Sequence, residues 1–201
     1  MTAQIFLIAP ADADAETCAR HLDEALAAVR VAAMLIPRGQ RSEAAYKALI
    51  KAITPRAQGA GVAVLIEGDP GLVRMLGVDG LHVEGGFGDL KAATDALKPD
   101  YIVGAGQIAS RHDAMSKGEL GPDYIFFGPL TGSRDPEHRE MARWWAEIME
   151  VPSVLSDPAA TADSATAEGG EFIALGDSLW TAPEGVTARL EAIARALETS
   201  P

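Results

Sequence analysis

Short apolar runs alternate with longer stretches of helical periodicity along almost the whole chain. QIFLIAP (4–10) is a strand-like run, and after an Asp-rich start Cys18, Leu22, Ala25, Leu26 and Val29 recur at helical spacing. RVAAMLIPRG (30–39) repeats the strand and ends at Pro37 and Gly39, and Ser42 is the predicted N-cap of the helix that follows. VAVLI (62–66), DGLHV (79–83), YIVGAG (101–106) and DYIFFG (123–128) continue the series, each followed by a polar or Gly-rich turn and then a helical pattern. Gly77 is expected to close the short helix PGLVRMLG. PSVLS (152–156) and EFIALGDSLW (171–180) are the seventh and eighth strands. An alanine-rich helix is predicted over PAATADSATAEG between them, and a last amphipathic helix with Pro183 near its first turn.

Strands that are apolar on both faces and alternate with helices belong to a parallel sheet covered on both sides. About eight such units without a long linker predict an α/β fold, a TIM (β/α)8 barrel formed by one domain over residues 1–201. An open doubly wound sheet is the alternative, but no G-x-G-x-x-G opens the first turn. On this fold the chemistry belongs at the C-terminal ends of the strands, and Val64, Leu65, Phe126 and Leu155 should be buried.

Composition narrows the function. A net charge of −12 argues against nucleic acid as a partner, so any phosphate site must be local. No run approaches the ~20 apolar residues that span a bilayer, and the N-terminus lacks the pattern of a secretory signal, so a cytoplasmic protein without a membrane partner is expected. A single cysteine, Cys18, allows neither an internal disulfide nor a cysteine metal site, and its helical position predicts a small buried residue. Trp144, Trp145 and Met141 read as packing of the sixth helix.

Three strand endings carry a family likeness. VDGLHV (78–83), IVGAG (102–106) and PDYIFFGP (122–129), in this order and spacing, resemble the A-D-G-V-H-L, I-I-G-V-S and A-D-Y-V-G-F-G-P of the thiamin phosphate synthase superfamily, which includes the thiazole tautomerases. The likeness runs from about Ile5 to Leu197. It implies a barrel that joins a pyrimidine diphosphate to a thiazole phosphate, releasing pyrophosphate with Mg2+ bound. Small phosphorylated substrates are the implied partners, and a homo-oligomer is compatible with it.

By that resemblance Arg38 and Arg134 would hold the diphosphate, with Thr131 and Ser133 beside them on the loop after the sixth strand, and Gly106, Ser156, Gly176 and Ser178 would line the remaining substrate contacts. Glu67 or Asp69, with Asp89, would hold Mg2+; as structural residues, Asp69 and Asp89 would instead cap the third and fourth helices. His82 matches the family's strand-four histidine, and as a buried residue it would be a hydrogen-bonded core group. The departures are specific. The family's Q-x-R-x-K is not reproduced in MLIPRGQR, Gly106 replaces a serine, Ser156-Asp157-Pro158 replaces a glycine pair, Asp177 adds a carboxylate beside a phosphate turn, and Pro129 stands where the tautomerases carry histidine. A carboxylate repels a phosphate, and Pro158 offers no N–H. The expected function is therefore thiamin phosphate synthase-like with an eroded active site; the alternative is a catalytically inactive member that binds or regulates through a small ligand.

Overall fold

The computed structural model describes residues 3–166 and 170–199. Its eight parallel strands close into a barrel in sequence order, β1 (Gln4–Ile8), β2 (Val31–Ile36), β3 (Ala63–Ile66), β4 (Gly80–Val83), β5 (Ile102–Ala105), β6 (Tyr124–Phe127), β7 (Ser153–Ser156) and β8 (Phe172–Leu175), with β8 pairing back on β1. The helices α1 (Ala15–Ala28), α2 (Glu43–Gly59), α3 (Pro70–Leu76), α4 (Phe87–Leu97), α5 (Arg111–Gly118) and α6 (Pro136–Ile148) each follow a strand, and α7 (Asp177–Trp180) and α8 (Val186–Thr199) follow β8.

Strand side chains alternate between two layers. Phe6, Ile8, Leu35, Leu65, Tyr124, Phe126 and Val154 fill the barrel interior. Leu7, Met34, Val64, Val103, Ile125, Phe127 and Leu155 face the helices. The predicted burial of Val64, Leu65, Phe126 and Leu155 is observed, all at 0–1% exposure. Cys18 is buried on α1, and its thiol is pushed up to about 12 by that burial.

Three acidic residues at the N-terminal rim explain part of the family signature. Asp79 accepts from the Val64 amide at 2.7 Å, Asp123 from the Val103 amide at 2.8 Å, and Glu171 from the Ser153 amide at 2.7 Å. Each carboxylate sits just before an even-numbered strand and satisfies the neighbouring odd strand. The aspartates of VDGLHV and PDYIFFGP thus hold the end of the barrel opposite the chemistry.

Several details differ from the sequence expectation. No helix follows β7: described residues 157–166 form turns, and residues 167–169 of the expected helix lie outside the described residues. The eighth strand stops at Leu175 and its predicted second half is α7, whose Trp180 indole donates to the Ile8 carbonyl at 2.7 Å. Pro183 precedes α8 rather than entering its first turn. Asp69 does cap α3 and Ser42 caps α2, but α4 is capped at Gly86, with Asp89 three residues inside.

Replacing Asp79 with Ala strips the acceptor from the Val64 amide and from the Gln58 side chain, which donates to it at 3.1 Å. The expected loss is roughly 1–3 kcal/mol, the cost of an unsatisfied buried donor, read from urea unfolding.

Candidate active site

The C-terminal mouth of the barrel divides into two halves of opposite construction. On the β3 to β5 side, the strand alternation that places His82 inside the barrel also places Glu84 there, two residues on. The His82 ring is buried, and it contacts the Tyr124 hydroxyl through Nδ1 at 2.8 Å and Glu84 Oε1 through Nε2 at 2.9 Å. An ionised carboxylate can only accept, so Nε2–H donates to Glu84; in the neutral ring Nδ1 then accepts from Tyr124. Burial, with Glu84 adding to it, pushes the Tyr124 phenol well above its ordinary value and keeps it protonated.

Two glycines on β5 make the room. A Cβ on Gly104 would lie 1.9 Å from the Tyr124 ring, and one on Gly106 would lie 1.8 Å from Glu84 Oε1 and 2.7 Å from His82 Nε2. Buried Lys117 of α5 holds this stretch, its ammonium donating to the Gly106 and Gln107 carbonyls at 3.0 Å each.

A cavity of about 480 Å³ opens beside this cluster, and Arg38, Glu67, Asp69, His82, Glu84 and Asp89 are among its lining residues. It brings together every residue expected to bind Mg2+, together with Arg38, but their carboxylates are already committed to local backbone. Glu67 accepts from the Arg38 amide at 2.6 Å, Asp69 from the Gly71 amide at 2.7 Å, and Asp89 from the Gly86 amide at 3.1 Å. Among the described residues no three acidic, histidine or cysteine side chains converge as a metal site. Mg2+ demands near-ideal octahedral oxygen geometry, which this arrangement does not offer. Arg41, the other cation of this loop, donates to the Pro10 and Ala13 carbonyls at 2.6 and 3.1 Å and ties the first two loops together.

On the β6 to β8 side the expected phosphate contacts meet the protein's own groups. Arg134 Nη1 lies 3.4 Å from Asp157 Oδ2, both side chains being largely buried at 14% and 8% exposure. The Gly132 amide, between Thr131 and Ser133, donates to Asp177 at 2.7 Å. Ser156 donates to the Pro129 carbonyl at 2.6 Å, and Ser178 donates to the Ala160 carbonyl through its hydroxyl and to the Pro158 carbonyl through its amide at 2.9 Å. Gly176 packs against Pro158, to which an added Cβ would come within 3.1 Å. Thr131 and Ser133 are exposed on the loop. Burial raises the Asp157 carboxyl above its ordinary range, and Arg134 opposes that shift.

The structure thus groups the expected residues into two sets, and it adds Glu84, Lys117 and Tyr124, which the sequence reading did not single out. The spacing His82-x-Glu84 on a strand was the available signal for Glu84, since alternate residues share a face.

The closed, parallel eight-stranded barrel, with loops at the strand ends carrying the polar groups, defines a (β/α)8 barrel protein. The family model for thiamine monophosphate synthase matches residues 5–176. Thiamine-phosphate synthase of Rhodospirillum centenum is 32% identical over 92% of this chain and 93% of its own, and that of Hyphomonas neptunium is 33% identical over 94% and 91%. The solved thiamine phosphate pyrophosphorylase from Pyrococcus furiosus superposes with a TM-score of 0.77 at 19% identity, covering 98% of this chain and 96% of that one. The chain belongs to the thiamine monophosphate synthase family, and its function is thiamin phosphate synthase-like.

Calorimetric titration with Mg2+ alone should give no site tighter than ~1 mM, because the carboxylates cap helices and turns. Asp89→Asn should instead lower stability by up to ~1 kcal/mol, the scale of a helix-start hydrogen bond. A tight Mg2+ site abolished by that change would contradict the assignment.

Proposed function

We propose that this family member has a synthase site whose phosphate corner, between β6 and β8, is closed by its own carboxylates. The observation that supports the reading best is the pairing of Arg134 with Asp157, reinforced by Asp177 on the Gly132 amide. Arg134, the cation expected to hold a phosphate, and the Gly132 amide of the same loop both face an internal anion. A phosphate brought to ~4 Å from an ionised carboxylate meets a repulsion of roughly 4 kcal/mol at an effective dielectric of about 20. That is comparable to the whole binding energy of a millimolar ligand, about 4 kcal/mol. In this reading the protein works in the cytoplasm as a small-ligand-binding member of the family. Mg2+ contributes at most weakly, because among the described residues the carboxylates expected to hold it accept from local backbone amides. Among the described residues no helix is long and apolar enough to cross a membrane.

The test is the complete reaction. With the pyrimidine diphosphate, the thiazole phosphate and Mg2+ present, formation of thiamin phosphate should be at least ~100-fold slower than the ~10 per second of a typical enzyme. Ordinary turnover would overturn the reading.

Acidity offers a second check. The folded-state pKa of Asp157 is raised, so its carboxyl takes up a proton at a higher pH than an ordinary aspartate, whereas Arg134 stays charged. Sulfate, whose charge does not change in this range, should therefore bind more tightly as pH falls from 7 towards 4.5. The gain should be absent in Asp157→Asn, which should bind sulfate at neutral pH at least as well as the parent does in acid. Sulfate affinity independent of pH in the parent would remove Asp157 from this role.

A further inference from the structure

The N-terminal end of the barrel, opposite the candidate active site, has a cavity of its own. In a closed eight-stranded barrel the inward side chains form packed layers of bulky, mostly branched residues. Here the layer at the strand starts is short of side-chain volume. Ala33 on β2 and Ala63 on β3 are paired in register, so two of the smallest side chains stand next to each other. A cavity of about 300 Å³ opens there, with Phe6, Leu65, Ile102, Tyr124, Val154 and Phe172 as its apolar wall. Phe6, Leu65, Tyr124 and Val154 are buried, whereas Ala63, Ile102 and Phe172 are partly exposed, so the cavity opens to solvent at the strand starts. Three polar side chains take part in the lining. The Tyr124 hydroxyl is held by His82 at 2.8 Å, and Asp123 accepts from Lys98 and from the Val103 amide. Gln4, beside Phe172 in the sheet register, is exposed, and its carboxamide makes no hydrogen bond among the described residues.

We infer that this N-terminal mouth binds a neutral, planar, fused-ring aromatic molecule carrying one hydrogen-bond donor at its edge, with the rings against the aromatic wall and the donor at Gln4. Size sets the first limit: a dry apolar cavity of roughly 150 Å³ holds benzene, and about twice that volume suits two fused rings. The wall sets the second, because the rings of Phe6, Tyr124 and Phe172 favour edge or offset contacts with another aromatic ring. Charge sets the third. The lining contains no lysine or arginine and its one ionisable carboxylate is Asp123, so an anionic ligand meets repulsion without a counter-ion. The Gln4 carboxamide oxygen is the one side-chain acceptor of the lining with no partner, which orients the donor outwards. An eight-stranded barrel is just wide enough inside for side chains, and a helix about 10 Å across does not enter it, so a protein segment is excluded as the occupant.

Calorimetric titration of the full chain with 2-naphthol, 2-methoxynaphthalene, phenol and 2-naphthoate tests the size, donor and charge requirements separately. The parent should bind 2-naphthol with a Kd below ~1 mM, and phenol and 2-naphthoate at least ~10-fold more weakly. Loss of the donor in 2-methoxynaphthalene should cost at least ~3-fold, the scale of one net hydrogen bond. Gln4→Leu, at an exposed position, should abolish the difference between the hydroxyl and methoxy compounds. Ala63→Ile restores a branched side chain to the layer, and it should weaken 2-naphthol at least ~10-fold. The comparison of the four compounds on the parent does not depend on either variant folding. No binding of 2-naphthol, binding of phenol or 2-naphthoate as tight as that of 2-naphthol, or an affinity unchanged in folded Ala63→Ile would overturn the inference.

Discussion

An imidazole buried inside a barrel must satisfy both ring nitrogens, and this requirement shapes the half of the mouth around β4. His82 has Tyr124 on one side and Glu84 on the other, at 2.8 and 2.9 Å. Leaving either nitrogen unpaired would cost on the order of 1–3 kcal/mol, so the three side chains form a unit. Gly104 accommodates the tyrosine ring and Gly106 the carboxylate, and Lys117 fixes the loop where β5 ends. A single side chain added at either glycine would disturb the whole arrangement. Phe6 and Phe126 close around it with edge contacts at 5.9 and 4.9 Å, to Tyr124 and His82 respectively. The polar chain is thereby enclosed by apolar surface, and the one member that reaches solvent is Glu84.

The other half of the mouth follows the opposite logic. There Arg134 forms an ion pair with Asp157 at 3.4 Å, its buried Nη1 making no hydrogen bond among the described residues, and the exposed Gly132 amide donates to Asp177. Ser156 and Ser178 bond to main-chain carbonyls. A buried guanidinium needs a counter-charge, and in this chain the carboxylate that provides it is itself held at a desolvation cost, visible in its raised pKa. In the proposed reading a ligand phosphate would have to displace that pair.

The architecture was legible in the sequence because parallel strands covered on both faces leave continuous apolar runs, and because Gly, Pro and Asp mark their ends. What was lost came from short range. The segment after β7 has the alanine content of a helix but runs as turns over its described part, and GDSLW after β8 has an apolar pattern that serves a four-residue helix as well as a strand. The two site clusters were partly legible. Asp69 was read correctly as a cap, and the conflict between Asp157 and a phosphate is an expectation drawn from charge alone. The sequence could not show that Arg134 and Asp157 meet, since they lie on different loops, nor that Asp89 caps from inside its helix. Glu84 was overlooked because a carboxylate after a buried strand usually reads as a solvated loop residue; its significance depends on the missing Cβ of Gly106, twenty-two positions away in the chain.

The central claim is that the phosphate corner is occupied by the protein's own acidic side chains, and the most direct measurement is binding of inorganic phosphate to the parent and to the double variant Asp157→Asn with Asp177→Asn. The account predicts no binding by the parent up to ~10 mM and a gain of at least ~10-fold in the double variant, as Arg134 and the Gly132 amide are released. Tight phosphate binding by the parent, unchanged when both aspartates are neutralised, would contradict it.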